Sequence, residues 1–445
     1  MRFRTLSVLA LIASISGCAG TRREPPVATP APAPSAPAPS TPVPANPPVS
    51  EAWRNTHSIR VGLAVYAKSA VVAGSTDWIL SLQGGPPIAT QPSGVALQVA
   101  RVGEDAVEVF RQGEEVPLWR GGTADTLLLV PAESGYSGWN GTWYRGTFRI
   151  FASNPDGITL VNEVDFESYL RSVLPHEIGK PPETDFEAVK AQAVAARSYT
   201  LSYLGRRGAL GFDLYASVED QVYGGIAREN AQSDRALDLT RGEVLMSEGL
   251  PVRALYSSAC GGRTSNVEDV WPWAPTSYLR SVRDAAGALS ETGGYCSISS
   301  NYRWREEWDA EAFMTTLRAY GPAEGGDTRV LGGDLVDVRV TTRGRSGRVG
   351  ELTVTTTRGA WTVRGDRVRW ALRRPGKDAI LRSAFLKIGV VRDRKGHATK
   401  VVATGAGNGH GIGLCQWGAM GMARAGKGYR EILSHYYKRT KLLIL

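Results

Sequence analysis

The sequence predicts a β-rich α+β fold, and three observations carry that prediction. Short runs of β-branched and aromatic residues fill the stretch from about Ser58 to Leu160, one long helical pattern follows near residue 184, and apolar–polar alternation returns between Leu335 and Val368. In the first stretch IRVGLAVY, DWILSLQ, ALQVARV, VEVFRQ, TLLLVP, WYRGTFRIFA and GITLVNEV are separated by Gly, Pro and Asp, so each is expected to be a strand. The helical stretch, ETDFEAVKAQAVAARSYTLSYL, opens with Thr184 and Glu187 at the spacing of a capping box. Its Phe186, Val189, Ala193 and Ala196 share one stripe, whose alanines permit a close neighbour. WDAEAFMTTLRAY predicts a second helix with Asp309 as N-cap. LVDVRVTT, VGELTVTTT and AWTVRGDRVRW predict a small antiparallel sheet, and the chain closes with a glycine-rich loop, a helix and the short amphipathic helix YREILSHYY.

Two segments ahead of these elements carry no core. MRFRTLSVLALIASISGCAG places Arg2 and Arg4 before an apolar and small-residue run from Leu6 to Ile15, too short for a permanent membrane helix, and reaches Cys18 behind Ile15-Ser16-Gly17. This pattern resembles a signal peptide (1–17) with a lipobox, making Cys18 the expected lipid-bearing residue of a periplasmic, envelope-anchored protein. Ala19, where an aspartate would hold a Gram-negative lipoprotein at the inner membrane, favours the outer one. Residues 18–50 are almost only Pro, Ala, Ser, Thr and Val, a tether reaching on the order of 90 Å at roughly 3 Å per residue. An N-terminal β-rich region (51–157) is then expected, followed by a core (158–445) carrying an inserted α/β segment at about 305–375. Without Arg2 and Arg4 the chain keeps 50 basic against 43 acidic residues, a net of +7 that suits an acidic wall polymer or a nucleic acid, and export excludes nucleic acid as the partner.

Four separated segments carry a family likeness: FESYLRSVLPHEIGKPPETDFEAVKAQAVAARSYTL; DQVYGG through CGGRTSNVEDVW; TVRGDRVRWAL with LRSAFLKIG; and GNGHGIGLCQWGAMGMARAGKGYREILSHYY. Together they cover about residues 158 to 437 and resemble the SpoIID/LytB family. The resemblance implies either a peptidoglycan lytic transglycosylase or a non-catalytic, peptidoglycan-binding enhancer of N-acetylmuramoyl-L-alanine amidase. Glycan strands are the expected partner in both cases, and a cell-wall amidase in the second. Glu177 matches the glutamate of the family's P-x-E motif and is therefore the expected catalytic residue. In Leu174-Pro175-His176-Glu177-Ile178 it is expected on a rigid turn before Pro181-Pro182, where apolar neighbours raise a carboxyl pKa. A surface or capping glutamate is the plain alternative. One carboxylate suffices for a lytic transglycosylase, because the sugar's own 6-hydroxyl attacks the anomeric carbon and no second group has to activate water.

The resemblance adds further site residues. Gln192 and Arg197 lie in the matched KAQAVAAR and are expected to point into the site, the alternative being a solvated helix face. His410, between Gly409 and Gly411 in a loop that permits close approach of a sugar chain, is expected to bind substrate, as is Gln416. Ser257 and Ser258, also expected to bind substrate, precede Cys260-Gly261-Gly262; the family often has a histidine at the position of Ser257, and that departure weakens a role of the segment in binding metal or polarising the substrate. Trp271, Trp273, Tyr278, Tyr295, Tyr302 and Trp304 either stack on sugar rings or pack a core. Cys260 and Cys296 are the expected disulfide of an oxidising compartment, and no cofactor is expected. The alternative is zinc held by Cys260, Cys296, Cys415 and His410, although no C-x₂-C spacing supports it.

Overall fold

The run GITLVNEV forms the strand Gly157–Asp165, buried along nearly its whole length because another strand flanks it on each side. The computed structural model in which this is seen describes residues 49, 51–55, 57–153, 157–285 and 293–445. Cys18, the expected signal peptide and nearly all of the expected tether lie outside the described residues. None of the described helices is long and apolar enough to cross a membrane.

Gly157–Asp165 pairs antiparallel with Ser58–Ala67 on one side and Thr147–Ser153 on the other, in a seven-stranded sheet completed by Leu214–Tyr215, Thr126–Pro131, Trp78–Leu82 and Pro87–Gln91. A six-stranded antiparallel sheet runs in the order Thr142–Tyr144, Ser137–Trp139, Ser69–Gly74, Ala96–Val102, Ala106–Arg111, Trp119–Gly122. Inward residues of both sheets, among them Val61, Leu160, Phe148, Val72 and Val99, belong to one apolar core with the central helices. The boundary expected near 157 therefore does not separate two cores. WYRGTFRIFA is also two strands in different sheets, since the chain turns at Gly146 (φ +82°), where a Cβ would come within 2.2 Å of the Glu163 carbonyl oxygen.

After Asp165 the chain enters helix α1 (Phe166–Ile178), capped by the Asp165 carboxylate, which accepts from Ser168 N–H at 2.9 Å. Glu177 thus sits in the last turn of a helix and not on the expected rigid turn. Pro175 is accommodated inside the helix, which ends at Gly179. Helix α2 (Phe186–Tyr203) follows a short 3₁₀ turn, Glu183–Asp185. The expected capping box does not form: Thr184 bonds Asp185, Glu187 accepts from Tyr429 N–H, and the Asp185 carboxylate binds Arg424. Nor is α2 amphipathic. Every residue from Ala191 to Tyr203 is buried, because α1, helix α3 (Ala231–Leu239), the strand Glu243–Ser247 and the C-terminal helices surround it.

A second apolar core runs from Trp304 to Ala403, farther than the expected 305–375. The extension has a simple cause: Ala398–Gly405 pairs with both Trp304–Asp309 and Leu386–Arg392, closing a three-stranded sheet. Helix α4 (Ala310–Tyr320) follows Asp309, whose side chain makes no capping bond. Leu335–Arg343, Val349–Thr356 and Gly359–Arg364 form the second sheet, but the expected third strand stops at Gly365 and Arg367–Ala371 is helix α5. Arg348 joins this unit to the main one, donating to the carbonyls of Cys260 (2.8 Å) and Arg263 (2.9 Å). Helices α6 (Gln416–Arg424) and α7 (Tyr429–Tyr436) complete the fold around α2.

Candidate functional site

Four segments converge on Glu177. They are the end of α1, the middle of α2, the extended stretch Gln221-Val222, and the parallel strand pair Tyr256–Ser257 and Leu414–Cys415 that leads into α6. Burial pushes the Glu177 carboxyl up to about 7, against hydrogen bonds from the Tyr256 hydroxyl and the Val222 backbone N–H that favour its charged form. The direction of the tyrosine proton follows from its neighbours. Tyr169 Oη donates to Gln221 Oε1 at 3.2 Å, so Gln221 Nε2 donates to Tyr256 Oη at 3.0 Å and leaves the Tyr256 hydrogen for Glu177. Gln221, Val222 and Tyr256 were not expected in the site; the only signal for them was their place inside the matched DQVYGG and YSSACGG segments.

Gln416 and Gln192 both reach the end of α1. Gln416 Nε2 donates to the Glu177 carbonyl oxygen at 2.9 Å and lies 3.5 Å from Gln192 Oε1, while Gln192 Nε2 is buried with no protein partner. Arg197 is not in the site. α1 and α2 run antiparallel, so Gln192 meets the last turn of α1 whereas Arg197, 1% exposed, forms a two-bond ion pair with Glu167 in the first (2.8 and 2.9 Å). That arginine holds the helix pair together, bonded to the Glu167 carboxylate and the Glu243 carbonyl.

His410 lies in a loop where Gly407, Gly409, Gly411 and Gly413 all have positive φ. At Gly413 a Cβ would stand 1.9 Å from the Leu255 carbonyl oxygen, so only glycine lets the loop pack this tightly on the strand carrying Tyr256. His410 Nδ1 accepts from Ile412 N–H at 3.1 Å and the ring donates to the Tyr256 backbone carbonyl, which makes Nε2 the protonated nitrogen. Burial pushes its pKa down to about 4, so the ring is neutral at neutral pH. It braces the backbone of Tyr256, does not bond Glu177, and packs against Trp271 at 4.9 Å. Ser257 Oγ is buried without a protein partner beneath Gly409, and the Ser258 carbonyl accepts from Trp417 N–H at 3.0 Å. Of the aromatic residues, Tyr302 and Trp304 are core, whereas Trp271, Trp273, Tyr278 and Tyr295 are only partly buried.

The cysteines depart from expectation. Cys260 and Cys296 are both free, with 3.7 Å between their sulfurs against about 2.05 Å for a disulfide. Cys415 lies with them, and the fourth group is Asp284 and not His410, which is already bonded on both ring nitrogens.

A family model described as Stage II sporulation protein matches residues 154–247, and one described as a domain of unknown function, DUF8618, matches residues 288–413. An uncharacterised protein of Brachyspira hyodysenteriae is 30% identical over 68% of this chain and 73% of its own length. The amidase enhancer of Bacillus subtilis is 27% identical over 61% of this chain, which spans 40% of that longer protein. Stage II sporulation protein D of Bacillus amyloliquefaciens is 27% identical over 62% of this chain and 74% of its own length. The chain belongs to the SpoIID/LytB family.

The raised Glu177 pKa has a consequence for stability. The fold favours the neutral carboxyl, so the contribution is greatest below about 4.5, where the unfolded chain is also protonated, and falls as pH rises toward 7. A shift from 4.5 to about 7 corresponds to about 3 kcal/mol lost across that window. Glu177→Gln, which cannot ionise, is predicted to be more stable relative to wild type at pH 8 than at pH 4 by about that amount in urea unfolding. The same difference at both pH values would mean that Glu177 titrates normally.

Proposed function

We propose that this protein is a peptidoglycan lytic transglycosylase that cuts glycan strands with Glu177 as its single acid/base. The observation carrying this reading is a largely buried carboxyl with a pKa near neutrality, faced by two donors that favour its ionised form. Protonated Glu177 delivers its proton to the glycosidic oxygen as the C1–O bond breaks. Tyr256 O–H and Val222 N–H then hold the carboxylate just formed. That carboxylate takes the proton of the muramyl 6-hydroxyl as O6 bonds to C1, closing the anhydro ring and returning Glu177 to its starting state. No water is consumed. Gln416 fixes the end of α1 through the Glu177 carbonyl, and the partly buried Trp271 and Trp273 beside His410 offer faces for sugar rings. The SpoIID family match and the relative named amidase enhancer support a role at the cell wall.

The relative named amidase enhancer also favours a second reading, in which the same groove binds glycan and recruits an amidase without cutting. Purified protein incubated with glycan strands, with and without stem peptides, separates the two. Anhydro-muramyl ends are expected from wild type, and Glu177→Gln is expected to lose about two to four orders of magnitude in rate while still pulling down glycan. The rate should fall as pH rises through about 7, because the proton is then lost from the acid. Tyr256→Phe removes a donor to the carboxylate, so it should slow cleavage and move this limb to higher pH. Binding without cleavage by wild type would select the enhancer reading.

We place the protein in the periplasm, held by a lipid on Cys18 and a proline-rich tether, on the strength of the sequence pattern alone. Cys18→Ser should move it from the membrane pellet to the soluble fraction; retention in the pellet would contradict the lipid anchor.

A further inference from the structure

We propose that Cys260, Asp284, Cys296 and Cys415 form a closed, four-coordinate site for a thiophilic divalent cation, zinc. The inference does not depend on the glycan reading, because the cluster shares no side chain with the Glu177 site.

The stretch from Cys260 to Cys296 supplies three of these groups, and the start of α6 supplies the fourth. Their ligand atoms all lie within 4.8 Å of one another, and all four residues are buried. The spacing favours a metal over a disulfide: a tetrahedral site with zinc–sulfur bonds of about 2.3 Å places its sulfurs about 3.8 Å apart. Cys260 and Cys296 Sγ are 3.7 Å apart. Three sulfurs and one carboxylate oxygen are a donor set suited to zinc, and four protein ligands leave no open position, which marks a structural site.

Backbone and side-chain donors orient the ligand atoms. Cys415 is the N-cap of α6, where its sulfur accepts from Gly418 N–H at 3.3 Å and from Cys260 N–H at 3.1 Å, donors that stabilise a thiolate. Asp284 uses one oxygen to accept from Tyr436 O–H and turns the other toward the sulfurs, 3.2 Å from Cys260 Sγ. This outer bond orients a monodentate carboxylate. Gly418 makes room for the arrangement, since a Cβ there would lie 2.2 Å from Tyr436 Oη and 2.5 Å from Asp284 Oδ1. Arg348, the cation bonded to the Cys260 carbonyl, donates to backbone and Ser265 oxygens and not to the sulfurs.

Zinc there would pin the strand end after Tyr256–Ser257 to the start of α6, whose first residue, Gln416, bonds the Glu177 backbone. The site is thus a clamp behind Glu177.

The test is elemental analysis of the full chain purified without chelator, followed by cobalt exchange. About one zinc per chain is expected, with the visible d–d and thiolate charge-transfer absorption of tetrahedral cobalt after exchange. Cys415→Ser and Asp284→Ala should lose the metal, Asp284→Cys should keep it, and Glu177→Gln should keep it at wild-type stoichiometry. Should the depleted variants fail to fold, the wild-type stoichiometry and cobalt spectrum still decide. Folded wild-type protein without metal, whether Cys260 and Cys296 are disulfide-linked or all three thiols alkylate freely, would overturn the proposal.

Discussion

The desolvation of one carboxyl group organises the centre of this molecule. A carboxylate pushed toward neutrality by burial destabilises the fold above its unfolded pKa, and it persists because the structure around it is over-determined. The Tyr169–Gln221–Tyr256 chain of hydrogen bonds sets the orientation of the donor that meets Glu177. The neutral His410 ring braces the same tyrosine from its backbone side. Burial keeps a proton available near neutral pH, and the two donors lower the cost of releasing it. A more exposed carboxylate would be held equally well but would rarely carry the proton.

The scaffold serves this arrangement by making α2 buried on all sides. Alanines at 188, 191, 193, 195 and 196 let α1, α6 and α7 approach its axis, and that closeness brings Gln192, Gln416 and the end of α1 into one small volume. The helix also has to carry a buried cation. Arg197 is tolerated because Glu167 and the Glu243 carbonyl satisfy it; with one partner removed, a buried charge of this kind typically costs about 3–5 kcal/mol. Beyond Tyr256, positive-φ glycines hold the loop of His410, and Arg348 ties the second apolar core to the Cys260 carbonyl.

Local pattern made much of this legible. Runs of β-branched and aromatic residues located most strands, and the helical stripe of Phe186, Val189, Ala193 and Ala196 located α2, because both signals are local. What periodicity does not carry is partnership. The pairing of Gly157–Asp165 with Ser58–Ala67 spans about a hundred residues, so the boundary drawn near 157 fell inside one sheet. α1 was hidden by Pro175, which reads as a break although Asp165 caps the helix and Phe166, Tyr169, Leu170 and Val173 keep helical spacing. Glu177 was legible only through its family motif, while Tyr256 and Gln221 matter for contacts no spacing encodes. Arg197 shared the motif with Gln192, yet five residues along α2 brought it to the opposite end of α1. The three cysteines suggested a pair because an oxidising compartment favours one; Asp284, from a segment with no signature, changes the chemistry that their geometry fits.

The central claim is that Glu177 is a carboxyl held near neutrality by burial against donors from Tyr256 and Val222. Its most direct test is an NMR titration of the folded protein carrying ¹³C-labelled glutamate, with the Glu177 signal assigned by its loss in Glu177→Gln. The account predicts a carboxyl resonance that titrates with a midpoint of about 7. A midpoint near the ordinary glutamate value of about 4.3 would contradict it.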